Sequence, residues 1–134
     1  MMEEFDMRKT KFYICPVCRN VVEMVYDTDI ALYCCGEKMV ELIPNTVDAS
    51  GDKHIPVATV KGDVVEVSVG VVDHPMAPVH WIQWVQLVTD KGSYRKQLEP
   101  GEVPHVKFQL HEERAVAVYA YCNLHGLWKT ELHG

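Results

Sequence analysis

Four of the five cysteines fall within residues 15–35, as Cys15-Pro16-Val17-Cys18 and then, after fifteen intervening residues, adjacent Cys34-Cys35 followed by Gly36. A segment of about 45 residues buries too little apolar surface to be stable alone, and units of that size depend on a metal or on disulfides. An odd cysteine count with no export signal favours metal over bridges. A C-x-x-C turn brings two thiolates to one ion while backbone amides point at the sulfurs, and a second pair closes a four-sulfur tetrahedron. Neighbouring side chains of an extended chain point to opposite faces, so Cys34 and Cys35 share an ion only if the backbone bends sharply. Gly36 supplies the freedom for that bend. Zinc and iron both accept four thiolates, so the ligands alone leave the metal open.

The remainder reads as strands. Val65, Val67, Val69 and Val71 alternate with Glu66, Ser68 and Gly70, and Phe108 and Leu110 alternate with Lys107, Gln109 and His111, the period of half-buried strands. Trp81 to Val88 and Ala115 to Tyr121 are mostly apolar on both faces, as central strands between two layers would be. Turn signals separate these runs at Lys61-Gly62-Asp63, Asp73-His74-Pro75, Asp90-Lys91-Gly92-Ser93, Pro100-Gly101-Glu102 and His111-Glu112-Glu113. Short strands at this spacing predict an antiparallel β-sandwich. No segment of ten residues shows a helical period, and Pro44-Asn45-Thr46 reads as the linker from the cysteine-rich head to this body.

With 48% hydrophobic residues and a net charge of −6, the chain can build a core but lacks the basic surface that drives nucleic-acid binding. No stretch approaches the roughly 20 apolar residues of a membrane helix. Met1-Met2-Glu3-Glu4-Phe5-Asp6 is acidic and lacks an apolar run, unlike a secretory or transit peptide. The expectation is a cytoplasmic protein with no nucleic-acid or membrane partner.

The fifth cysteine, Cys122, lies in Tyr121-Cys122-Asn123-Leu124-His125-Gly126, with His125 three residues on. A lone cysteine is usually a small core residue. Three further histidines occupy strand-end or turn contexts: His54 before Ile55-Pro56, His74 before Pro75-Met76, and His80 before Trp81. One thiolate and four neutral imidazoles suit iron, and five protein donors leave a sixth octahedral position for a small oxidant. His105, His111 and His133 lack comparable partners and read as surface residues.

On these residues the chain resembles the desulfoferrodoxin family, the two-iron form of superoxide reductase, over nearly its whole length. Residues 1–45 look like a desulforedoxin-like iron domain with its linker, Cys15, Cys18, Cys34 and Cys35 matching the C-x-x-C and C-C ligands. Residues 46–134 look like a neelaredoxin-like superoxide reductase domain, with Lys53-His54, His74-Pro75-Met76, His80 and Cys122-Asn123-Leu124-His125-Gly126 matching its motifs. The resemblance implies an all-β fold in which the four-cysteine head precedes a seven-stranded immunoglobulin-like antiparallel sandwich. It also implies a homodimer, two iron ions per chain, equatorial ligation by His54, His74, His80 and His125, and Cys122 as axial ligand. The implied reaction is one-electron reduction of superoxide to hydrogen peroxide, with rubredoxin or a similar small protein as donor. Family members typically carry a glutamate immediately before the lysine, where this chain has the shorter Asp52.

A chain of net charge −6 repels superoxide unless the field near the iron is locally reversed, and Lys53, next to His54, is placed to do that. Two other readings compete: a non-catalytic two-iron electron carrier, which needs a closed six-ligand second site, and a zinc-headed binding module with incidental histidines.

Overall fold

The computed structural model describes residues 9–132; the acidic stretch Met1 to Asp6 and His133 lie outside them. The chain divides into two compact units, Met1–Ile43 and Pro44–Gly134.

The first unit contains β1 (Phe12–Ile14), β2 (Val21–Glu23), β3 (Tyr33–Cys34), β4 (Glu37–Lys38) and β5 (Val40–Glu41). β1 pairs antiparallel with β2 and β5 in a three-stranded sheet, and β3 with β4 forms a separate hairpin. Among the described residues its buried apolar set is small, namely Phe12, Ile14, Cys15 and Met39. At roughly 1.5–3 kcal/mol for each large apolar side chain, that set cannot offset the ordering entropy of some 40 residues. The metal-dependence inferred from the cysteines therefore has a direct cause in the packing.

The second unit begins with a single helical turn, α1 (Gly51–His54), followed by seven strands: β6 (Pro56–Lys61), β7 (Val64–Val69), β8 (Ile82–Thr89), β9 (Ser93–Gln97), β10 (His105–Gln109), β11 (Ala115–Cys122) and β12 (Gly126–Glu131). They form two antiparallel sheets, ordered β10-β7-β6 and β12-β11-β8-β9. This is the expected seven-stranded sandwich. Inward residues of both sheets make one core: Val65, Val67 and Val69 from β7, Val106 and Phe108 from β10, Ile82, Val85 and Leu87 from β8, and Val118, Ala120 and Cys122 from β11. β8 and β11 are buried on both faces, and Trp84 stacks on its cross-strand partner Tyr121 with centroids 5.5 Å apart.

The valine alternation stops earlier than expected. β7 ends at Val69, and Val71 is 79% exposed. Beyond Val69 the chain folds back, with the His74 N–H donating to the Val69 carbonyl and the Val72 N–H to the Asp52 carbonyl, each at 2.9 Å. The alternation is lost because these carbonyls satisfy the backbone in place of a neighbouring strand. Among the described residues no helix is long and apolar enough to cross a membrane.

Candidate metal centres

All five cysteines are free thiols. The sulfurs of Cys15, Cys18, Cys34 and Cys35 lie within 4.8 Å of one another. In the C-x-x-C turn, the N–H groups of Val17 and Cys18 both point at the Cys15 sulfur at 3.4 Å. The adjacent pair is brought together by the β3–β4 hairpin, whose two turn residues, Cys35 and Gly36, both have positive φ (55° and 76°). That is the signature of a type I′ turn, and it is the sharp bend that adjacent cysteines require. Cys35 shares the left-handed conformation that the sequence assigned to Gly36 alone.

Sulfur separations of 3.6 Å (Cys18 to Cys34) and 3.9 Å (Cys34 to Cys35) match a tetrahedron. Metal–sulfur bonds of about 2.3 Å put such sulfurs about 3.8 Å apart. The Cys18 N–H, with that of Val17, lowers the Cys15 thiol to about 6. Contacts with Cys15 and Cys18, then burial, push Cys34 up to about 12. One thiolate is thus prepared and the next is opposed by it, so only a cation lets all four ionise together.

The second cluster lies at one end of the sandwich. His54 is supplied by α1, His74 and His80 by the β7–β8 connection, Cys122 by the last residue of β11, and His125 by the turn into β12. Their donor atoms also lie within 4.8 Å of one another. The rings follow one another around a square: His54 to His74 at 4.6 Å between centroids, His74 to His80 at 4.7 Å, His80 to His125 at 5.0 Å and His125 to His54 at 4.9 Å. Each ring stands at 74–87° to its neighbours. The opposite pair His54 and His80 are 6.4 Å apart and tilted by only 31°, as the diagonal of such a square should be.

Backbone carbonyls fix the tautomers. The Nδ1 of His54 sits 2.6 Å from the Ser50 carbonyl oxygen and that of His74 2.7 Å from the Pro75 carbonyl oxygen. A carbonyl only accepts, so both Nδ1 atoms carry the proton and both Nε2 atoms present bare lone pairs. Those two Nε2 atoms nevertheless lie 3.1 Å apart, and His54 Nε2 lies 3.0 Å from His125 Nδ1. Metal–nitrogen bonds of about 2.1 Å at right angles place adjacent donors about 3.0 Å apart. Among the described residues, His80 Nε2 is the one buried side-chain polar atom with no hydrogen-bond partner. Converging lone pairs and an orphaned buried nitrogen cost free energy in the protein alone, and a metal at the centre of the square removes both costs.

Cys122 is fully buried, and its sulfur accepts the His125 N–H at 3.4 Å and lies 3.9 Å from His125 Nδ1. Burial raises its thiol, opposed by the N–H groups of His125 and Leu124. Burial likewise lowers His54 and His80, and lowers His74 to about 4. Those three imidazoles are held neutral, the form in which they bind metal.

Two supporting residues had no role assigned to them from the sequence. Asn123 brackets His80: its Oδ1 accepts the Trp81 N–H at 2.9 Å and its Nδ2 donates to the Val79 carbonyl at 3.0 Å. Trp128 packs on His54 and donates to the His125 carbonyl. Lys53 is exposed on α1, directly before buried His54. Asp52 is also exposed and is not a member of the converging set. His105 and His111 are exposed, as expected, His105 pairing with Asp73 at 2.8 Å.

Comparison with known proteins agrees with the two clusters. The family model described as Desulfoferrodoxin matches residues 46–131. A desulfoferrodoxin from Syntrophotalea carbinolica is 43% identical over 92% of this chain and 97% of its own length. A desulfoferrodoxin homolog from Archaeoglobus fulgidus is 42% identical over 88% of this chain and 94% of its own. The crystal structure of the superoxide reductase from Treponema pallidum superposes with a TM-score of 0.77 at 37% identity, covering 92% of this chain and all of that one. With a family model spanning the whole sandwich and relatives matched nearly end to end, the chain belongs to the desulfoferrodoxin family.

Proposed function

We propose that this protein is a superoxide reductase, with His54, His74, His80, His125 and Cys122 holding a catalytic iron and Cys15, Cys18, Cys34 and Cys35 holding a second. The observation that carries the reading is the square of four imidazoles with one buried sulfur beside it. Iron in that centre supplies a one-electron reductant with one coordination position beyond its five protein donors.

The chain's own residues do the rest. Carbonyls of Ser50 and Pro75 keep two imidazoles in the tautomer whose Nε2 faces inward. The His125 N–H aimed at Cys122 moderates the electron donation of the thiolate. Lys53, exposed at the edge of the site, draws a small anion toward a protein that is otherwise negative. Each superoxide takes up one electron and two protons and leaves as hydrogen peroxide.

A reductase consumes an outside electron in every cycle, and the natural donor is a rubredoxin-like small protein. Exposed Val25, Ile30 and Tyr33 on a unit with a sparse core support assembly as a homodimer. Five free thiols fit a reducing, cytoplasmic setting.

Metal analysis with visible spectra of both redox states, followed by rapid mixing of the reduced protein with superoxide, tests the reading. Two irons per chain and one peroxide per superoxide are expected. A colourless protein with one metal, or a reduced centre that superoxide does not oxidise, would overturn it.

A further inference from the structure

We infer that Trp128 is a positioning residue that locks two adjacent imidazoles of the square to each other, an inference that rests on the metal-site reading above. Trp128 lies on β12 opposite Ala120 of β11 and is only 3% exposed. Its ring stacks on His54, with centroids 4.9 Å apart and planes 27° from parallel. Its indole N–H donates to the backbone carbonyl of His125 at 3.1 Å. One rigid side chain therefore touches two donors that are 71 residues apart in the chain and meet at 3.0 Å.

The contacts are complementary. His54 is tied at one ring edge by the Ser50 carbonyl, which fixes where Nδ1 sits but leaves the ring free to tilt about that hydrogen bond. Stacking on the indole removes the tilt, because rotating the imidazole would drive it into the aromatic face. His125 sits in the turn between β11 and β12, where its N–H points at the Cys122 sulfur and the indole N–H anchors its carbonyl. Since Trp128 is a strand residue packed in the sandwich, both imidazoles take their orientation from the sheet as well as from their own turns. A donor set held in this way changes little between redox states, which favours fast electron exchange with a small oxidant.

The role separates from bulk packing by substitution at one position. Trp128→Leu removes the stacked face and the N–H, whereas Trp128→Phe keeps an aromatic face and loses the N–H alone. Outer partners of metal-bound histidine are worth about 10–100-fold in metal affinity. The full-length leucine variant should lose iron in chelator competition by about that factor and show a broadened ferric electron paramagnetic resonance signal. The phenylalanine variant should recover most of the affinity while retaining some broadening. The inference is overturned if the leucine variant keeps wild-type affinity and line shape, or if phenylalanine recovers nothing. Should the leucine variant not fold, the phenylalanine variant decides, an unbroadened signal refuting the anchoring of His125. Iron affinity and line shape do not depend on turnover, so wild-type protein that binds iron but ignores superoxide would refute the functional reading and leave this inference standing.

Discussion

Gly70 lies so close to α1 that a β-carbon placed on it would come within 2.5 Å of the Asp52 carbonyl oxygen. The next contacts, at 3.0 and 3.1 Å, are also backbone, from Lys53 and Asp52. No flexible side chain is available to give way. Gly70→Ala should displace the turn that presents Lys53 and His54, with an overpacking cost of about 1–3 kcal/mol. Denaturant unfolding and iron content should both fall, and a variant unchanged in both would mean that α1 is free to move.

Among the described residues, Cys122 is the one cysteine in the histidine cluster. Cys122→Ser should abolish reduction of superoxide and the visible thiolate-to-iron charge-transfer band of the oxidised centre, while leaving the sandwich folded. Stopped-flow spectroscopy reads both, and their joint survival would remove Cys122 from the coordination sphere.

Lys53→Ala should slow superoxide capture about tenfold at low salt, the lower end of what local steering contributes. The dependence of the rate on ionic strength should flatten, because screening acts on the charge that has been removed. Iron content should stay at the wild-type level, since Lys53 is not one of the converging donors. An unaltered second-order rate at low salt would refute the steering role.

Away from the metals, Glu113 accepts the Tyr94 hydroxyl, the His111 N–H at 3.0 Å and the Thr89 hydroxyl at 2.7 Å. These bonds, the Tyr94 hydroxyl foremost, lower its carboxyl below the ordinary 4.5. A group depressed on folding stabilises the protein fully above its unfolded value, and that contribution disappears as pH falls through the folded value. Glu113→Gln should therefore lower Tm at pH 7, with the gap to wild type narrowing as pH drops below about 4.5. A gap independent of pH would assign the loss to packing alone.

Much of this architecture was legible in the sequence because the relevant side chains carry their own signals. Val65, Val67 and Val69 alternate because one face is in the core, and the nine candidate metal donors stand out because cysteine and histidine are few. The supporting parts were not legible for an equally physical reason. Ser50 and Pro75 act through backbone carbonyls, which every residue possesses. Asn123 and Trp128 are a polar turn residue and a buried aromatic, ordinary in sequence until His80, His54 and His125 are seen beside them. One turn of helix at Gly51–His54 is too short to show a period. Val71 continued the alternation in sequence only, since no strand lay beyond Val69 to pair with it.

The pairing of β11 with β8 runs one to one from Val118–Leu87 to Tyr121–Trp84 and then slips, matching Cys122 with Ile82 and leaving Gln83 unopposed. Strands count in twos, so losing a single residue between Val118 and Cys122 would send the sulfur to the opposite face while leaving a perfectly good strand behind. Turns such as Asp90-Lys91-Gly92 carry no such parity and can lengthen or shorten. Among descendants of this chain, gaps should collect in hairpin tips that carry no donor, and the run into Cys122 should keep its length even where its letters drift.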